Sequence, residues 1–278
     1  MDITMNKFEI EGQQLAYLDK GEGPVLLFGH SYLWDSQMWA PQVEVLSQSF
    51  RCIVPDLWAH GESDAAPAST QSLADYAQHM LALMDHLDIE EFSIVGLSVG
   101  GMWGGAELTA QAPQRVKSLV LMDTFIGWEP EVTYKKYFAM LDTISQVQAV
   151  PAPIIEAVVP LFFANNVNQD NPKLVASFKR SLEELNGERA VEVARIGRMV
   201  FGRRDVIEDS EKFALPTLIA VGCEDKPPRP VFESYLMKDC ITDSELVEIP
   251  PQAGHISCLE QPEFVNQMLL NFLNRVHA

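Results

Sequence analysis

The chain has 278 residues, 47% of them hydrophobic and 21% charged, which suits one large α/β domain or a core with a modest insertion. Its formal net charge of −19 argues against a nucleic-acid partner, because binding phosphates requires clustered Lys and Arg. The same acidic balance is unfavourable for an anionic membrane surface. These numbers favour a small-molecule partner over nucleic acid or membrane.

Targeting and redox signals indicate a cytoplasmic protein. Residues 1–7 lack the basic and then apolar pattern of a signal peptide. No uncharged apolar run approaches the roughly 20 residues that a membrane span needs. The four scattered cysteines form no Cys-x-x-Cys pair and no disulfide framework, so we expect reduced thiols at Cys52, Cys223, Cys240 and Cys258.

Short apolar runs bounded by glycine, proline or polar residues predict strands that are buried on both faces. They lie at 25–28, 51–55, 92–96, 117–123, 216–222 and 245–250. Helical patterns alternate with these runs, notably the apolar positions between Leu73 and Leu87 and the small residues of 101–106. The sequence therefore predicts an α/β fold with a mostly parallel central sheet flanked by helices.

Residues 127–208 break this alternation, because they contain no convincing strand pattern. Helices are predicted here at 134–144, 154–163, 172–186 and 188–201. We interpret the segment as a helical cap inserted over the core. The core is then formed by residues 1–126 and 209–278.

The segment 93–101 combines an apolar strand, Gly-x-Ser-x-Gly and the small residues of a following helix. This pattern is typical of a nucleophile elbow, a turn so sharp that its middle residue, Ser98, adopts strained backbone angles. Gly96 and Gly100 are needed because a side chain there would collide with the neighbouring strand or helix. Ser98 is therefore the predicted nucleophile.

A serine nucleophile needs a base, and the base needs an acid that orients it. On an elbow of this kind the acid and then the histidine follow the serine along the chain, at the ends of later strands. His255 is the predicted base and Asp225 the predicted acid, with Glu224 and Asp123 as alternative acids. Four other histidines are poorer candidates. His277 is expected in a fraying tail, His79 and His86 on a helix before the nucleophile, and His60 in a Gly/Ser turn.

A tetrahedral intermediate also requires hydrogen-bond donors for its oxyanion. The backbone N–H of Val99, directly after the nucleophile, is one predicted donor. The second should come from the loop 29–34, which follows the strand at 25–28. His30 lies in this loop, where a loop-shaping role is favoured over a catalytic one.

These residues resemble the α/β-hydrolase superfamily, over nearly the whole chain outside the cap. Within it, the chain is similar to the branch of 3-oxoadipate enol-lactonases and small carboxylesterases, although cofactor-free haloperoxidases and C–C bond hydrolases share the motifs. The resemblance rests on GLSVGGM at 96–102, PQRV at 113–116, LVLMDT at 119–124, PDLWAHGES at 55–63, AGH at 253–255 and LEQPE at 259–263.

The resemblance also has departures. Ser31 stands where most relatives have glycine in the motif that identifies Tyr32 as the second oxyanion donor. Ala59 stands where glycine is usual, which indicates an adjusted turn. Pro227–Pro228 and Pro250–Pro251 add a residue to the loops that carry the acid and the histidine. The triad of Ser98, Asp225 and His255 is nevertheless expected to form, because loops absorb single insertions.

The predicted function is hydrolysis of small carboxylic esters or lactones through an acyl-enzyme on Ser98. No metal or organic cofactor is implied, because the chain has no His-Glu-x-x-His, P-loop or dinucleotide motif. The alternatives are an enol-lactonase proper, which needs a cation for an anionic substrate, and a slow-turnover ligand receptor on a hydrolase scaffold. Candidate cations are Arg195, Arg198, Arg203 and Arg204. Candidate pocket residues are Trp128, Phe138, Phe162, Phe163 and Met199.

Overall fold

The computed structural model describes residues 5–226 and 230–278, so the Pro227–Pro228 insertion lies outside the described residues. Eight strands form one sheet. They are β1 (Asn6–Ile10), β2 (Gln13–Lys20), β3 (Val25–Gly29), β4 (Arg51–Pro55), β5 (Phe92–Leu97), β6 (Val116–Met122), β7 (Thr217–Gly222) and β8 (Ser244–Ile249).

The sheet has the strand order β1-β2-β4-β3-β5-β6-β7-β8. Strands β4, β3, β5, β6, β7 and β8 are parallel to one another, whereas β1 and β2 are antiparallel additions at one edge. The predicted fold class is therefore confirmed, and all six predicted strands form. Large apolar clusters pack against the sheet, which matches the strands' continuous apolar character.

Helices follow or separate the strands along the chain. They are α1 (Ala40–Leu46), α2 (Leu73–His86), α3 (Thr109–Gln111), α4 (Glu131–Val147), α5 (Ala152–Val158), α6 (Val167–Asp170), α7 (Pro172–Glu184), α8 (Gly187–Phe201), α9 (Ile207–Ser210), α10 (Val231–Cys240), α11 (Ser257–Glu260) and α12 (Pro262–Val276). Short 3₁₀ turns lie at Ser36–Trp39, Pro113–Arg115 and Val159–Leu161. In the part of the chain that the structure describes, no helix is both long enough and apolar enough to cross a membrane.

The hairpin of β1 and β2 is missing from the sequence prediction. Its two-residue turn consists of Glu11 and Gly12, which both have positive φ (50° and 81°). Such a turn matches the right-handed twist of the flanking strands. The usable signal was a glycine between two short segments, with Phe8 and Ile10 alternating before it and an apolar run from Leu15 to Leu18 after it.

Between β6 and β7 the chain is helical, as predicted, and α4, α5, α7 and α8 correspond to the four predicted helices. The one β-type pairing among the described residues of this segment is an isolated bridge between Ala149 and Asn186. Helices α4 and α8 pack against each other. The buried apolar face of α7 includes Phe178 and Leu182, because its apolar residues recur on one side.

The segment Gly101–Leu108, which follows the predicted elbow, winds as a wide π-type helix before the α-helical turn of α3. All eight residues are buried. The segment starts where Gly29, Gly96 and Gly100 approach one another. A Cβ atom on Gly100 would lie 2.0 Å from the carbonyl oxygen of Gly29, and one on Gly96 would lie 2.4 Å from Gly100. The backbones of β3, β5 and this helix therefore touch directly.

Replacing Gly100 by alanine is expected to lower the free energy of unfolding by at least about 3 kcal/mol, because the new methyl group meets backbone that cannot move aside. Urea unfolding followed by circular dichroism measures the change. The matched control is Gly104→Ala in the same helix, whose methyl group would meet only a side-chain methyl of Ile94 at 3.1 Å. Equal losses in the two variants would contradict the role of the Gly29–Gly100 contact.

Candidate active site

Ser98 occupies the turn between β5 and the wide helix, with a positive φ of 56°. For a side chain other than glycine this conformation is strained, and such strain persists only where the surroundings enforce it. Here the Ser98 N–H donates to the carbonyl of Met122 at 2.9 Å, and the Thr124 hydroxyl donates to the carbonyl of Ser98 at 2.7 Å. The elbow predicted from Gly-x-Ser-x-Gly is therefore present.

The predicted acid and base are in contact. Asp225, after β7, and His255, after β8, form a 3.0 Å contact between Oδ2 of the carboxylate and Nδ1 of the ring. Both side chains are buried, and the ring of Phe162 packs edge-on against the imidazole at 5.4 Å. A carboxylate bound to Nδ1 of a histidine fixes the ring orientation and the tautomer in which Nε2 can act as a base.

Ser98 and His255 line the same cavity, which lies between the carboxyl edge of the sheet and the cap helices. Tyr32 and Ser31, from the loop after β3, line it as well. Because β3, β5, β7 and β8 are parallel, the loops after them meet at one edge of the sheet. The fold therefore brings three distant parts of the chain to one edge of the sheet.

The two predicted oxyanion donors retain free amides. Val99 begins the helix after Ser98, so its N–H has no carbonyl one turn earlier to bind. In the loop after β3, the N–H of Ser31 donates to the sulfur of Met38 and that of Leu33 donates to His60. Within residues 5–226 and 230–278, the N–H of Tyr32 between them donates no hydrogen bond.

The side chain of Tyr32 has a separate role. Its hydroxyl donates to the backbone carbonyl of Val193 on α8 at 2.8 Å. Gly197 leaves the space for it, since a Cβ atom there would lie 2.5 Å from the Tyr32 oxygen. Burial raises the pKa of this hydroxyl, so it stays a neutral donor. Tyr32 thus joins the loop beside the elbow to the cap.

His30 and His60 shape this loop. The His30 Nε2 accepts from the N–H of Leu57 at 2.7 Å, and its Nδ1 donates to the carbonyl of Ser31. The His60 Nε2 accepts from the N–H of Leu33 at 3.1 Å, and its Nδ1 donates to the carbonyl of Trp58. Both rings are buried and fully engaged with backbone, which supports the loop-shaping role over the catalytic one.

The motif at 55–63 is held by Asp56, whose two carboxylate oxygens accept from the N–H groups of Ser36 and Glu62 at 2.7 and 2.8 Å. Ala59, in place of the usual glycine, keeps a left-handed φ of 63°. Its N–H is satisfied by the carbonyl of Asp64 at 2.7 Å. The turn therefore accepts alanine at this position, although the left-handed conformation of a residue other than glycine is strained.

Glu224, the first alternative acid, binds backbone instead of the histidine. One of its oxygens accepts from the N–H and side-chain amide of Asn165, and the other accepts from the N–H of Gln252 at 3.0 Å. The backbone N–H groups of Asn165 and Gln252 hold the pKa of this carboxyl below its usual value. Glu224 thus connects the acid loop, the histidine loop and the cap.

Glu260 makes a parallel connection that sequence reasoning missed. Its two oxygens accept from the N–H of Ala164 in the cap segment and the N–H of Gly254 next to His255, at 2.9 and 2.8 Å. Burial raises the pKa of Glu260 to about 7 despite these donors. Its signal in the sequence was an acidic residue shortly after the predicted histidine.

Asp123, the second alternative acid, lies fully buried after β6, with a positive φ of 45°. One of its oxygens accepts from the N–H of Gly222 at 2.7 Å, and the other pairs with the hydroxyl of Ser257. Burial raises its pKa well above the usual value, and the charge of Asp225 raises it further. Asp123 therefore joins the loop that carries Asp225 to the loop that carries His255, next to the sheet.

The remaining histidines lie elsewhere. His277 was expected in a fraying tail, which is wrong: its Nε2 contacts the Ser93 hydroxyl at 2.9 Å and its ring packs on Phe50. Ser93 lies near the start of β5, at the edge of the sheet opposite Ser98. His79 and His86 lie on α2.

Comparison with known proteins agrees with this geometry. Residues 24–262 match the family model described as the alpha/beta hydrolase fold. The chain belongs to the α/β-hydrolase family. This hydrolase is similar over its length to curated relatives named as lactonases and esterases. It is 24% identical to 3-oxoadipate enol-lactonase 1 of Acinetobacter baylyi, over 96% of this chain and 95% of that protein.

It is also 26% identical to carboxylesterase YbfK of Bacillus subtilis, over 91% of this chain and 81% of the relative. Among solved structures, a thermophilic esterase from Thermogutta terrifontis superposes with a TM-score of 0.85 at 26% identity, covering 99% of this chain and all of that one. The predicted resemblance to the enol-lactonase and small carboxylesterase branch is therefore confirmed.

Asp225 and Asp123, which both follow strands, are expected to respond differently to replacement by asparagine. Asp225→Asn should lower kcat by about 10⁴-fold, because the asparagine favours the wrong tautomer of His255. Asp123→Asn should cost less than about tenfold, since an amide can accept from Gly222 and donate to Ser257. Steady-state kinetics of both variants on one ester measures the difference. A loss at Asp123 as large as that at Asp225 would identify Asp123 as the acid.

The stability of the hydrolase is expected to fall as the pH is lowered from about 6.5 towards 3. Burial, aided by neighbouring His30, lowers the pKa of His60 to about 3, so below pH 6.5 the unfolded chain binds a proton that the folded chain does not. His60→Asn should reduce this dependence, measured by urea unfolding between pH 8 and 5. His86→Asn, on the exposed face of α2, controls for losing a histidine. An unchanged slope in His60→Asn would contradict the assignment.

Proposed function

We propose that this protein is a serine hydrolase that cleaves small carboxylic esters or lactones. The observation that carries the proposal is the contact between Asp225 and His255 beside a cavity that Ser98 also lines. The strained φ of Ser98 and the free amide of Tyr32 support it, because neither is needed by the fold alone. The named activities of the relatives are of the same class.

In the proposed reaction, the Ser98 Oγ attacks the substrate carbonyl while the His255 Nε2 takes the hydroxyl proton. The resulting oxyanion accepts from the N–H groups of Val99 and Tyr32, and each such donor is typically worth about 10²–10³ in rate. The C–O bond then breaks, and His255 gives its proton to the leaving alcohol. Water, activated by the same ring, hydrolyses the acyl-enzyme and restores the Ser98 hydroxyl.

We further propose a cytoplasmic location and a small-molecule ester or lactone as the partner. All four cysteines are free: Cys52 and Cys258 are buried, and Cys223 and Cys240 are half-buried. Burial also raises the pKa of the Cys258 thiol well above its usual value, so this group stays a protonated, inert core residue. These properties suit a reducing compartment.

Replacing Ser98 by alanine is expected to lower kcat on a nitrophenyl ester by about 10⁴-fold or more without changing the fold. Loss of the nucleophile removes the covalent step, while the alanine still has to adopt the elbow conformation. Kinetics and circular dichroism of parent and variant, measured side by side, provide the test. Hydrolysis near the parent rate in the folded variant would refute the assignment of Ser98.

A serine-directed phosphonate separates a working hydrolase from a receptor on the same scaffold. Mass spectrometry should find the phosphonate on Ser98 in the parent and no label in Ser98→Ala. Steady turnover together with this labelling supports the proposed hydrolase. Labelling with a single burst of product and no further turnover would contradict it in favour of the receptor.

A further inference from the structure

The wall of the catalytic cavity is built from four cap helices. Aliphatic and thioether side chains line this wall, among them Met140, Leu141 and Ile144 from α4, Ile154 from α5, Leu182 from α7 and Val200 from α8. None of the described residues that line the cavity is Asp, Glu, Lys or Arg. The part of the substrate enclosed here therefore leaves water for hydrocarbon.

Most polar side chains of the cavity lie at its catalytic end. Ser31, Ser98 and His255 belong to the elbow and to the loops around it. The hydroxyl of Tyr32, the residue that joins this end to the cap, already donates to the carbonyl of Val193. Tyr137 on α4 adds an uncharged polar side chain to the cap wall. An ester carbonyl can therefore be bound near Ser98, while the α4, α5 and α7 walls meet the rest of the substrate with uncharged and mainly apolar side chains.

The cap arginines that could neutralise an anionic substrate lie elsewhere. All four line a separate groove, together with Glu107 and Glu192: Arg195, Arg198, Arg203 and Arg204. Each is already paired with a carboxylate of the chain. Three of these pairs are Arg195 with Glu192 at 3.0 Å, Arg203 with Glu129 at 3.0 Å and Arg204 with Glu107 at 2.8 Å; Arg198 pairs with Asp142.

Four of the five candidate pocket residues lie outside this cavity. Phe162 alone among them lines it. Trp128 is 59% exposed, and Phe163 packs against Trp34 and Phe178 in the core. Phe138 and Met199 line the arginine groove, because they face the other side of the α4–α8 pair.

The cavity is small as well as apolar. Its volume is about 80 Å³. A cavity of this volume can hold a few waters, which suits a short group rather than a long chain. A long fatty chain would have to displace cap side chains that are packed against one another.

We propose that the substrate carries a short, neutral, apolar group, and that the cavity rejects a substrate with a second carboxylate. This inference rests on the proposed function and specifies its substrate class. A buried carboxylate without a cation loses its hydration and gains nothing in return. The proposed substrate therefore differs from a 3-oxoadipate enol-lactone, since an adipate-derived lactone keeps one free carboxylate.

The test compares ethyl butanoate with monoethyl succinate, which has the same four-carbon acyl chain with a terminal carboxylate. Release of ethanol reports both reactions. We expect kcat/KM to be at least about 100-fold higher for ethyl butanoate, because only the anion must be desolvated. Ethyl decanoate should be at least about tenfold slower than ethyl butanoate, because its chain exceeds the cavity.

A charge added to the cavity should shift this preference. Met140→Arg places a guanidinium at the cavity wall and is expected to reduce the butanoate-to-succinate ratio by about tenfold or more. The matched control is Met199→Arg, an identical change at a half-buried methionine of the arginine groove, which should leave the ratio unchanged. Ile154→Arg replaces Met140→Arg if circular dichroism shows that the latter is unfolded.

The outcomes separate this inference from the proposed function. Ser98-dependent hydrolysis of both esters at rates within about threefold would overturn the neutral-substrate inference and leave the hydrolase intact. Efficient hydrolysis of ethyl decanoate would overturn the size limit in the same way. Absence of turnover on every ester and lactone, together with no phosphonate label on Ser98, would overturn the proposed function itself.

Discussion

The close approach of Gly29 to Gly100 is the constraint on which the site depends. Because neither residue has a side chain, the strand β3 and the helix after Ser98 come together at backbone distance. This contact fixes where the elbow stands relative to the loop that carries Tyr32. It also helps to hold Ser98 at a positive φ. This conformation costs about 1–3 kcal/mol and persists only where the surroundings impose it.

Around the elbow, three carboxylates hold irregular backbone in place. Asp123 joins the loop that carries Asp225 to the loop that carries His255, and Glu224 and Glu260 join the same loops to cap residues 164–165. Asp123 is fully buried and accepts from the buried N–H of Gly222, which would be costly to leave without a partner. The position of His255 and the seating of the cap are thus linked through shared hydrogen bonds.

The cap provides a contrast between two sides of one helix pair. Towards Ser98, α4 and α8 present mainly apolar side chains, and on another side α8 presents Arg195 and Arg198, which pair with Glu192 and Asp142. The acidic surface, with its net charge of −19, disfavours an anionic substrate at long range. The uncharged cavity disfavours the same substrate, because its carboxylate would lose its hydration there.

The sequence by itself determined the parallel sheet, the elbow and the order of the predicted triad, because each depends on short-range patterns of glycine, apolar and polar residues. It favoured Asp225 as the acid but left Glu224 and Asp123 open, since all three follow strands that end at the same edge. Only the tertiary structure put the Asp225 carboxylate on the His255 ring and gave the other two to backbone amides. It alone also separated the cap arginines from the cavity, because the direction in which a helix face points depends on what packs against it.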